Sequence, residues 1–465
     1  MRIVPAGAPI LRGQAMRDAE QRCFDAGTSQ AELMARASLA VAREVARLGA
    51  GQPVLVLAGP GNNGGDAYGV ARLLADWGHD VAVAALGQPS GGAAADNAAA
   101  WPGEVQTLEA AVPRPVLVDG LFGTGMTRPL DAGVAAQLAR LVAGASVAVA
   151  IDLPSGLATD SGADLGAPDG ITATVALGAL KSAHLLGTGV AKCGHVLLAD
   201  IGVGAATDWN SIARPRLRAP AIDSHKYDRG LVVVVAGSMA GASRLAARAA
   251  LHGGAGYVIL AASETAPGGP DAIVHRPVHG GAALAELLID ARIGAVVIGP
   301  GLGRDDAARD LLDVALASDR DLVIDGDALS LLGKDGVGRI AARKATTLLT
   351  PHAGEFARMF DGGTDKIADT LAAAEAAQAT VVHKGADTVI AAPEGKVVVA
   401  SAAASWLSTA GTGDVLAGLV AARHAAGGSA DEAVWLHARA ARLAGPAFAA
   451  DDLIARLPIA IGECL

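Results

Sequence analysis

The chain has 465 residues, 52% of them hydrophobic and 18% charged, a balance that can bury a sizeable core and excludes a disordered or fibrous chain. At roughly 150 residues per domain, that length suggests three domains, or two large ones if both are α/β units. The net charge is −10, neither half of the chain is basic and aromatics are only 3%, so the sequence offers neither a counterion-displacing patch nor stacking platforms for nucleic acid.

The mean hydropathy is +0.39, yet the apolar runs are strand-length, such as Leu231 to Ala236, and Gly, Pro or Asp breaks them well before 18 residues. No membrane span is expected. Arg2 is followed only by a short, Pro-interrupted apolar stretch from Ile3 to Leu11 with no small-residue cleavage site, which argues against export. Cys23, Cys193 and Cys464 lie far apart, without metal or redox spacing. A cytoplasmic, reducing setting is the expectation.

From Met1 to about Gly49 the apolar spacing is helical, clearest from Ala31 to Leu48. Strand-like runs then follow at Val54 to Ala58, Val81 to Leu86, Val116 to Val118, Val147 to Ile151, Thr172 to Leu177 and Val196 to Ala199, with helical segments between most of them. The Gly/Ala stretch from Pro89 to Ala100 reads as a loop or helix start. Periodicity lapses between Gly202 and Gly230, and the boundary is placed near residue 215, giving domains 1–214 and 215–465. A second series follows: Val232 to Ala236, Tyr257 to Ala261, Ala295 to Ile298, Leu322 to Ile324, Thr380 to His383, Val397 to Ala400, and a helix from Gly413. The fold class is therefore α/β twice over, each a parallel sheet covered by helices.

The run from Val54 to Ala58 enters Gly59-Pro60-Gly61-Asn62-Asn63-Gly64-Gly65-Asp66 and then a helix. Such a turn brings backbone amides and a helix N-terminus close to an anion. The plain alternative is a turn whose Asx side chains bond their own backbone. Asp119 and Asp152 each end an apolar strand and precede a further glycine loop, which brings two carboxylates to the rim where open α/β sheets bind ligands.

Together GPGNNGGDAYGVAR, DGLFGTG and AIDLPSGL resemble the N-terminal, epimerising domain of the bacterial bifunctional NAD(P)H-hydrate repair enzymes, over roughly the first 210 residues. That resemblance implies a Rossmann-like three-layer domain. It implies that Asn62, Asn63, Gly64, Gly65 and Asp66, with Gly123, Thr124, Gly125, Met126, Thr127, Arg128 and Pro129, hold the hydrated dinucleotide, and that Asn63, Asp119 and Ser155 surround a potassium ion. Epimerisation at C6 needs only reversible loss and return of one substituent, and Asp152 is the candidate carboxylate beside the ring. Ring opening with Asp152 merely orienting the ligand is the other route. Ala67 stands where the family usually has Gly.

In the second half, Gly411-Thr412-Gly413-Asp414 puts glycines at a turn and an Asp in the first turn of a helix. Backbone N–H groups there can hold a transferring phosphoryl group while Asp414 accepts the proton of an attacking hydroxyl. Three more polar loops follow strands and converge on the same rim: Asp325 to Leu329, Thr350 to Glu355 and Lys384 to Thr388. With KYDRG, VVAGSMAGA, HGGAGY and IGPGLGR, these segments resemble the ribokinase-like fold and, more closely, the ADP-dependent NAD(P)H-hydrate dehydratases, over about residues 223 to 460.

That second resemblance implies that Gly303, His352, Asp414 and, more weakly, Gly256 face the hydrated nucleotide. Lys384, Gly385, Ala386, Asp387 and Thr388, with Gly411, Thr412 and Gly413, would hold ADP with magnesium, and Asp414 would be the base. The expected function is repair: epimerising the R and S hydrates of NADH and NADPH, then dehydrating the S form with ADP to give AMP and phosphate. The expected partners are those hydrates, ADP and further copies of the chain, with no nucleic acid or membrane. Two readings compete. One is a ribokinase-like small-molecule or vitamin-precursor kinase carrying an N-terminal nucleotide-binding module; the other is a non-catalytic interaction module in the N-terminal half.

Overall fold

The computed structural model describes residues 4–89, 91–264, 269–401 and 404–465. The chain forms two compact units, Met1–Ser211 and Ile212–Leu465. Among the described residues no helix is long and apolar enough to cross a membrane.

In the first unit two helices, α1 (Gly13–Asp25) and α2 (Gln30–Gly49), precede the sheet. Ser29 caps α2 by accepting the N–H of Glu32, and the buried stripe Leu33, Ala37, Val41, Val45 recurs every four residues as an amphipathic helix requires. The strands are β1 (Val54–Ala58), β2 (Val81–Ala85), β3 (Val105–Gln106), β4 (Val116–Gly120), β5 (Val147–Ile151), β6 (Ala173–Leu177) and β7 (His195–Ala199). Between them lie α3 (Asn62–Asp76), α4 (Gly92–Ala99), α5 (Ala132–Ala143) and α6 (Gly189–Lys192). A short β8 (Trp209–Ser211) bridges back to Pro9 through Asn210, so part of the expected linker is ordered into the first unit.

The sheet runs β3-β2-β1-β4-β5-β6-β7 with every pairing parallel. Val54 and Val56 face the layer that contains α2 and α3, while Leu55 and Leu57 face the one that contains α5, which is why β1 is apolar on both faces. β1 pairs with both β2 and β4, so the order in which strands are added reverses between β1 and β4 and leaves a crevice at their carboxyl ends.

The second unit holds β9 (Leu231–Val235), β10 (Tyr257–Ala262), β11 (Ile273–Pro277), β12 (Ile293–Ile298), β13 (Leu322–Ile324), β14 (Thr347–Leu349), β15 (Thr380–His383), β16 (Thr388–Ala391) and β17 (Val397–Ala400). Its helices are α7 (Ala240–His252), α8 (Gly281–Leu288), α9 (Asp306–Ala317), α10 (Gly326–Leu332), α11 (Val337–Ala341), α12 (Ala353–Met359), α13 (Lys366–Ala377), α14 (Thr412–Ala425), α15 (Ala430–Ala444) and α16 (Ala450–Gly462). The order β11-β10-β9-β12-β13-β14-β15 is parallel, then β16 and β17 turn antiparallel. Helices α7, α14, α15 and α16 pack one face through Ala- and Leu-rich contacts such as Ala246, Ala417, Leu436 and Leu453.

The sequence reading misses β3 and β11 and does not separate β16 from the loop after His383. His383 pairs with Val389, so Lys384 to Asp387 is the turn of a hairpin and Thr388 opens its second strand. The strand is short and the glycine before it dominated the pattern.

Candidate active sites

At the first crevice, β1 turns sharply into α3. A side chain at Gly59 would lie 1.7 Å from the Leu121 carbonyl and one at Gly64 1.8 Å from that of Gly59, so only glycine lets the two loops approach. Gly64 and Gly65 are thereby spent on packing, Gly65 against Ala94 and Met34, and do not line the cavity as the sequence reading expects. The cavity, about 400 Å³, is lined by Asn62, Asn63, Asp66, Gly123, Asp152 and Lys181 among others. Thr124, Gly125 and Met126 also reach it, whereas Thr127, Arg128 and Pro129 are exposed outside it, because the chain turns away from the crevice toward α5.

Asp119 closes β4 and is fully buried. It accepts Ser155 Oγ at 2.7 Å, the Ser155 N–H at 2.8 Å and the Leu121 N–H at 3.3 Å. Ser155 Oγ in turn accepts the Phe122 N–H at 2.9 Å. Burial pushes the Asp119 carboxyl up, partly offset by those hydrogen bonds. Asn63 lies against the neighbouring Gly123, and among the described residues its buried Nδ2 has no hydrogen-bond partner. Asn63, Asp119 and Ser155 thus gather around two adjoining loops.

Asp152 follows β5 with φ +62°, one of few non-glycine residues in the left-handed region. Its Oδ1 accepts Lys181 Nζ at 2.5 Å and the Leu177 N–H at 3.1 Å. Lys181 is buried and escapes the sequence reading, although a lone Lys in the apolar run VALGALKSAHLL is a signal in itself. Glu20 and Arg17, from α1, also line the cavity and are equally unforeseen, since nothing in a helical surface pattern tells which turn a cleft borrows.

In the second unit, Lys384 Nζ lies 2.7 Å from Asp325 Oδ1 and 4.0 Å from Glu355 Oε2, and Thr350 Oγ1 donates to the same Asp325 oxygen at 2.7 Å. Asp414 stands in the first turn of α14; burial, then the charge of Asp325, pushes its carboxyl up to about 6 against the opposing pull of Lys384. Gly411 ahead of it has φ +91°, which favours glycine, and among the described residues the N–H groups of Gly413 and Asp414 meet no backbone acceptor. A cavity of about 480 Å³ is lined by His352, Lys384, Gly385, Ala386, Thr388 and Gly413 among others.

His352 caps α12, its Nδ1 accepting the N–H of Gly354 at 2.9 Å and of Glu355 at 3.3 Å, which leaves Nε2 near Glu355 Oε1 at 3.3 Å. Gly303 donates its N–H to Asp327, which also binds Arg304.

Three expectations fail on geometry. Gly256 precedes β10 and sits at the amino edge of the sheet, hydrogen-bonded to Arg229 and Gly230, a strand length of roughly 16 Å from the carboxyl rim. Asp387 turns toward α13, where Lys366 holds it at 2.7 Å. Gly411 shapes the turn ahead of α14 without lining the cavity, whereas Thr412 does line it while its hydroxyl is used on the Leu407 and Thr409 carbonyls.

Residues 30–183 match the family described as YjeF-related protein N-terminus, and residues 232–463 the family described as NAD(P)H-hydrate dehydratase. The bifunctional NAD(P)H-hydrate repair enzyme of Mycobacterium tuberculosis is 35% identical over 433 residues, covering 86% of this chain and 86% of its own length. That of Gloeobacter violaceus is 35% identical, covering 90% of each, and that of Coxiella burnetii 32%, covering 93% and 94%. Among solved structures, the ADP/ATP-dependent NAD(P)H-hydrate dehydratase of Bacillus subtilis, co-crystallised with ATP and Mg2+, aligns at a TM-score of 0.44 and 25% identity, covering 54% of this chain and 95% of that one.

Proposed function

This chain belongs to the family of bifunctional NAD(P)H-hydrate repair enzymes, and we propose from its two sites how each half of the repair is carried out. It is an enzyme with two activities, epimerising NAD(P)H hydrate in the first unit and dehydrating it in the second. The alternative of a vitamin-precursor kinase is less supported, because both units match the repair family in order.

The dehydration reading rests on one arrangement: Asp414 at the free N-terminus of α14, beside a Lys384 that Asp325 and Glu355 hold at the cavity edge. Asp414 takes the proton of the C6 hydroxyl as that oxygen attacks the terminal phosphorus of ADP, and AMP departs with the electrons of the broken P–O bond. The N–H groups of Gly413 and Asp414 and the Lys384 ammonium face the charge on the phosphoryl oxygens. Phosphate then leaves C6 and a proton leaves C5, restoring the ring double bond. Hydroxide is a poor leaving group and phosphate a good one, which is why a nucleotide is consumed. His352 and Gly303 stand at the substrate side of the rim, and Lys384 to Ala386 with Thr388 at the nucleotide side.

Among the described residues no three His, Cys, Asp or Glu side chains converge to hold a metal. Magnesium would therefore be carried on the nucleotide's phosphates, supplying charge neutralisation, with a carboxylate such as Asp325 or Asp327 at most.

In the first unit Asp119 is a fully buried carboxylate with no basic side chain in contact among the described residues. Uncompensated buried charge is costly, and the surrounding donors, Asp119, Ser155 Oγ and the Asn63 amide, are oxygen-rich as a hard cation requires. Potassium fits there, where it would fix the two loops that face the dinucleotide. Asp152 is the carboxylate beside the reacting ring.

Among the described residues Cys23, Cys193 and Cys464 form no disulfide, which fits a cytoplasmic enzyme, and assembly into a homo-oligomer completes the reading, with light scattering as its check. The decisive experiment incubates the purified chain with both hydrate epimers and either ADP or ATP and follows the recovered absorbance of the reduced nicotinamide. Complete recovery from an R/S mixture with AMP released is expected. A stable phosphorylated product, or recovery that stops once the S form is gone, overturns it.

A further inference from the structure

Around the cavity of the first unit stand three carboxyl groups and two cations: Glu20, Asp66, Asp152, Lys181 and Arg17. Their surroundings differ sharply. Lys181 Nζ donates to Asp152 at 2.5 Å and to the Leu177 carbonyl at 2.7 Å, and the Lys181 side chain is 1% exposed. An ammonium so deep persists only where it is paired and hydrogen-bonded. His184 grips the same residue from the other end: its Nδ1 accepts the Lys181 N–H at 2.9 Å, which leaves the proton on Nε2 to be donated to the Asp152 carbonyl at 2.7 Å. Burial lowers His184 to about 4, so the imidazole is neutral and this polarity is fixed.

The left-handed backbone of Asp152 is a strained conformation for a non-glycine residue and survives because these contacts over-determine it. Asp66 is the opposite case. It stands in the second turn of α3, buried, with no hydrogen bond or ion pair to its carboxyl among the described residues. Burial, and after it the charges of Asp152 and Glu20, pushes the Asp66 carboxyl well above its ordinary range. Two carboxyl groups thus share one cavity, Asp152 ion-paired to Lys181 and Asp66 without such a partner, and such unlike surroundings divide acid from base.

We propose, taking the epimerase reading of the first unit as the premise, that Asp66 is the group that gives and recovers the proton of the C6 hydroxyl, and that Lys181 is a positioning residue that holds Asp152 as the facing carboxylate. Asp66 protonates the hydroxyl; the C6–O bond breaks and its electron pair leaves with water, while the ring N1 lone pair forms a C6–N1 double bond. The Asp152 carboxylate balances the cationic ring. Water returns to the opposite face of C6, the double-bond pair returns to N1, and the surplus proton passes through cavity water to Asp66. Nothing is oxidised or reduced.

The test uses the full chain and the pure R hydrate, with ADP present so that the second unit traps each S molecule as it forms. Lys181→Met and Asp66→Asn are each expected to slow R-to-S conversion at least about 100-fold in kcat with little change in KM, and dehydration of pure S hydrate is unaffected. In the wild type, conversion falls as pH rises through the Asp66 titration, and the residual rate of Asp66→Asn lacks that alkaline fall. Should Lys181→Met fail to fold, the double change Lys181→Met with Asp152→Asn leaves no unpaired buried charge and is expected to fold and bind yet not epimerise. A Lys181→Met chain converting within threefold of wild type, or an Asp66→Asn chain that keeps the alkaline fall, overturns the inference. A wild-type chain that never converts the R form refutes the epimerase reading instead.

Discussion

In the first unit Asp119, Asp152 and Lys181 are at most 6% exposed, whereas in the second Lys384 lines a cavity of about 480 Å³ and Asp414, in the first turn of α14, is partly exposed. Asp119 and Asp152 stand at the carboxyl ends of the parallel strands β4 and β5, and Asp325 and Lys384 at those of β13 and β15, so the fold dictates the place but not the exposure. The tasks account for the difference. An epimerase returns the atoms it removes and gains from fixed charges around its cavity, while a nucleotide-driven dehydratase must admit ADP and release AMP and phosphate.

If the two sites are as separate as that contrast implies, single changes should split the activities. Asp414→Ala is expected to lower dehydration about 10³-fold, within the usual range for a general base, while dinucleotide binding and R-to-S conversion persist. Asp152→Ala should do the reverse. In the wild type, dehydration should rise with pH through about 6, since the base works only as the carboxylate. A pH-rate profile with no limb near there, or loss of both activities from either change in a folded chain, would break the separation.

A smaller effect sharpens the sealed half of the comparison. Asp119→Ala strips the acceptor from three donors, the Ser155 N–H and hydroxyl and the Leu121 N–H, and is expected to cost about 3 kcal/mol as a lower midpoint for the first unit. Replacing the proposed potassium by a bulky cation should mimic part of that loss by removing a ligand of the folded form, and the Asp119→Ala chain should no longer respond. A chain whose melting ignores both cation and substitution would leave Asp119 as a purely structural turn residue.

How far the sequence reaches is clear from particular residues. The two-fold α/β plan, the Asn62–Asp66 turn and the Asp119, Asp152 and Asp414 positions are legible because strand period, glycine turns and strand-end carboxylates are local signals. Lys181, Glu20 and Asp325 are harder. The first two reach their cavity from segments remote in sequence, and a pairing across the fold such as Asp325 with Lys384 has no local signature. The errors have the same root: Gly64 and Gly65 read as ligand contacts when close backbone approach demands them, and Gly256 looked like a site glycine although it precedes its strand. A glycine motif states that something comes near, not whether it is substrate or backbone.

The smallest expected effect concerns stability. Asp414 carries a folded-state value of about 6 against an ordinary 3.8, so the folded form binds its proton more tightly than the unfolded chain does. Its contribution to stability is therefore whole below about pH 4, is lost as pH rises toward 6, and stays lost above. Because the group is partly exposed, the full shift overstates the cost, and about 1 kcal/mol remains after solvent screening. Asp414→Asn should consequently raise the calorimetric midpoint of the second unit by about 2–4 °C at pH 8 and leave it unchanged near pH 4. A gain of that size with dehydration abolished means the open site stores its base at the expense of fold stability; an equal midpoint at both pH values would show that Asp414 is solvated as an ordinary helix-start carboxylate.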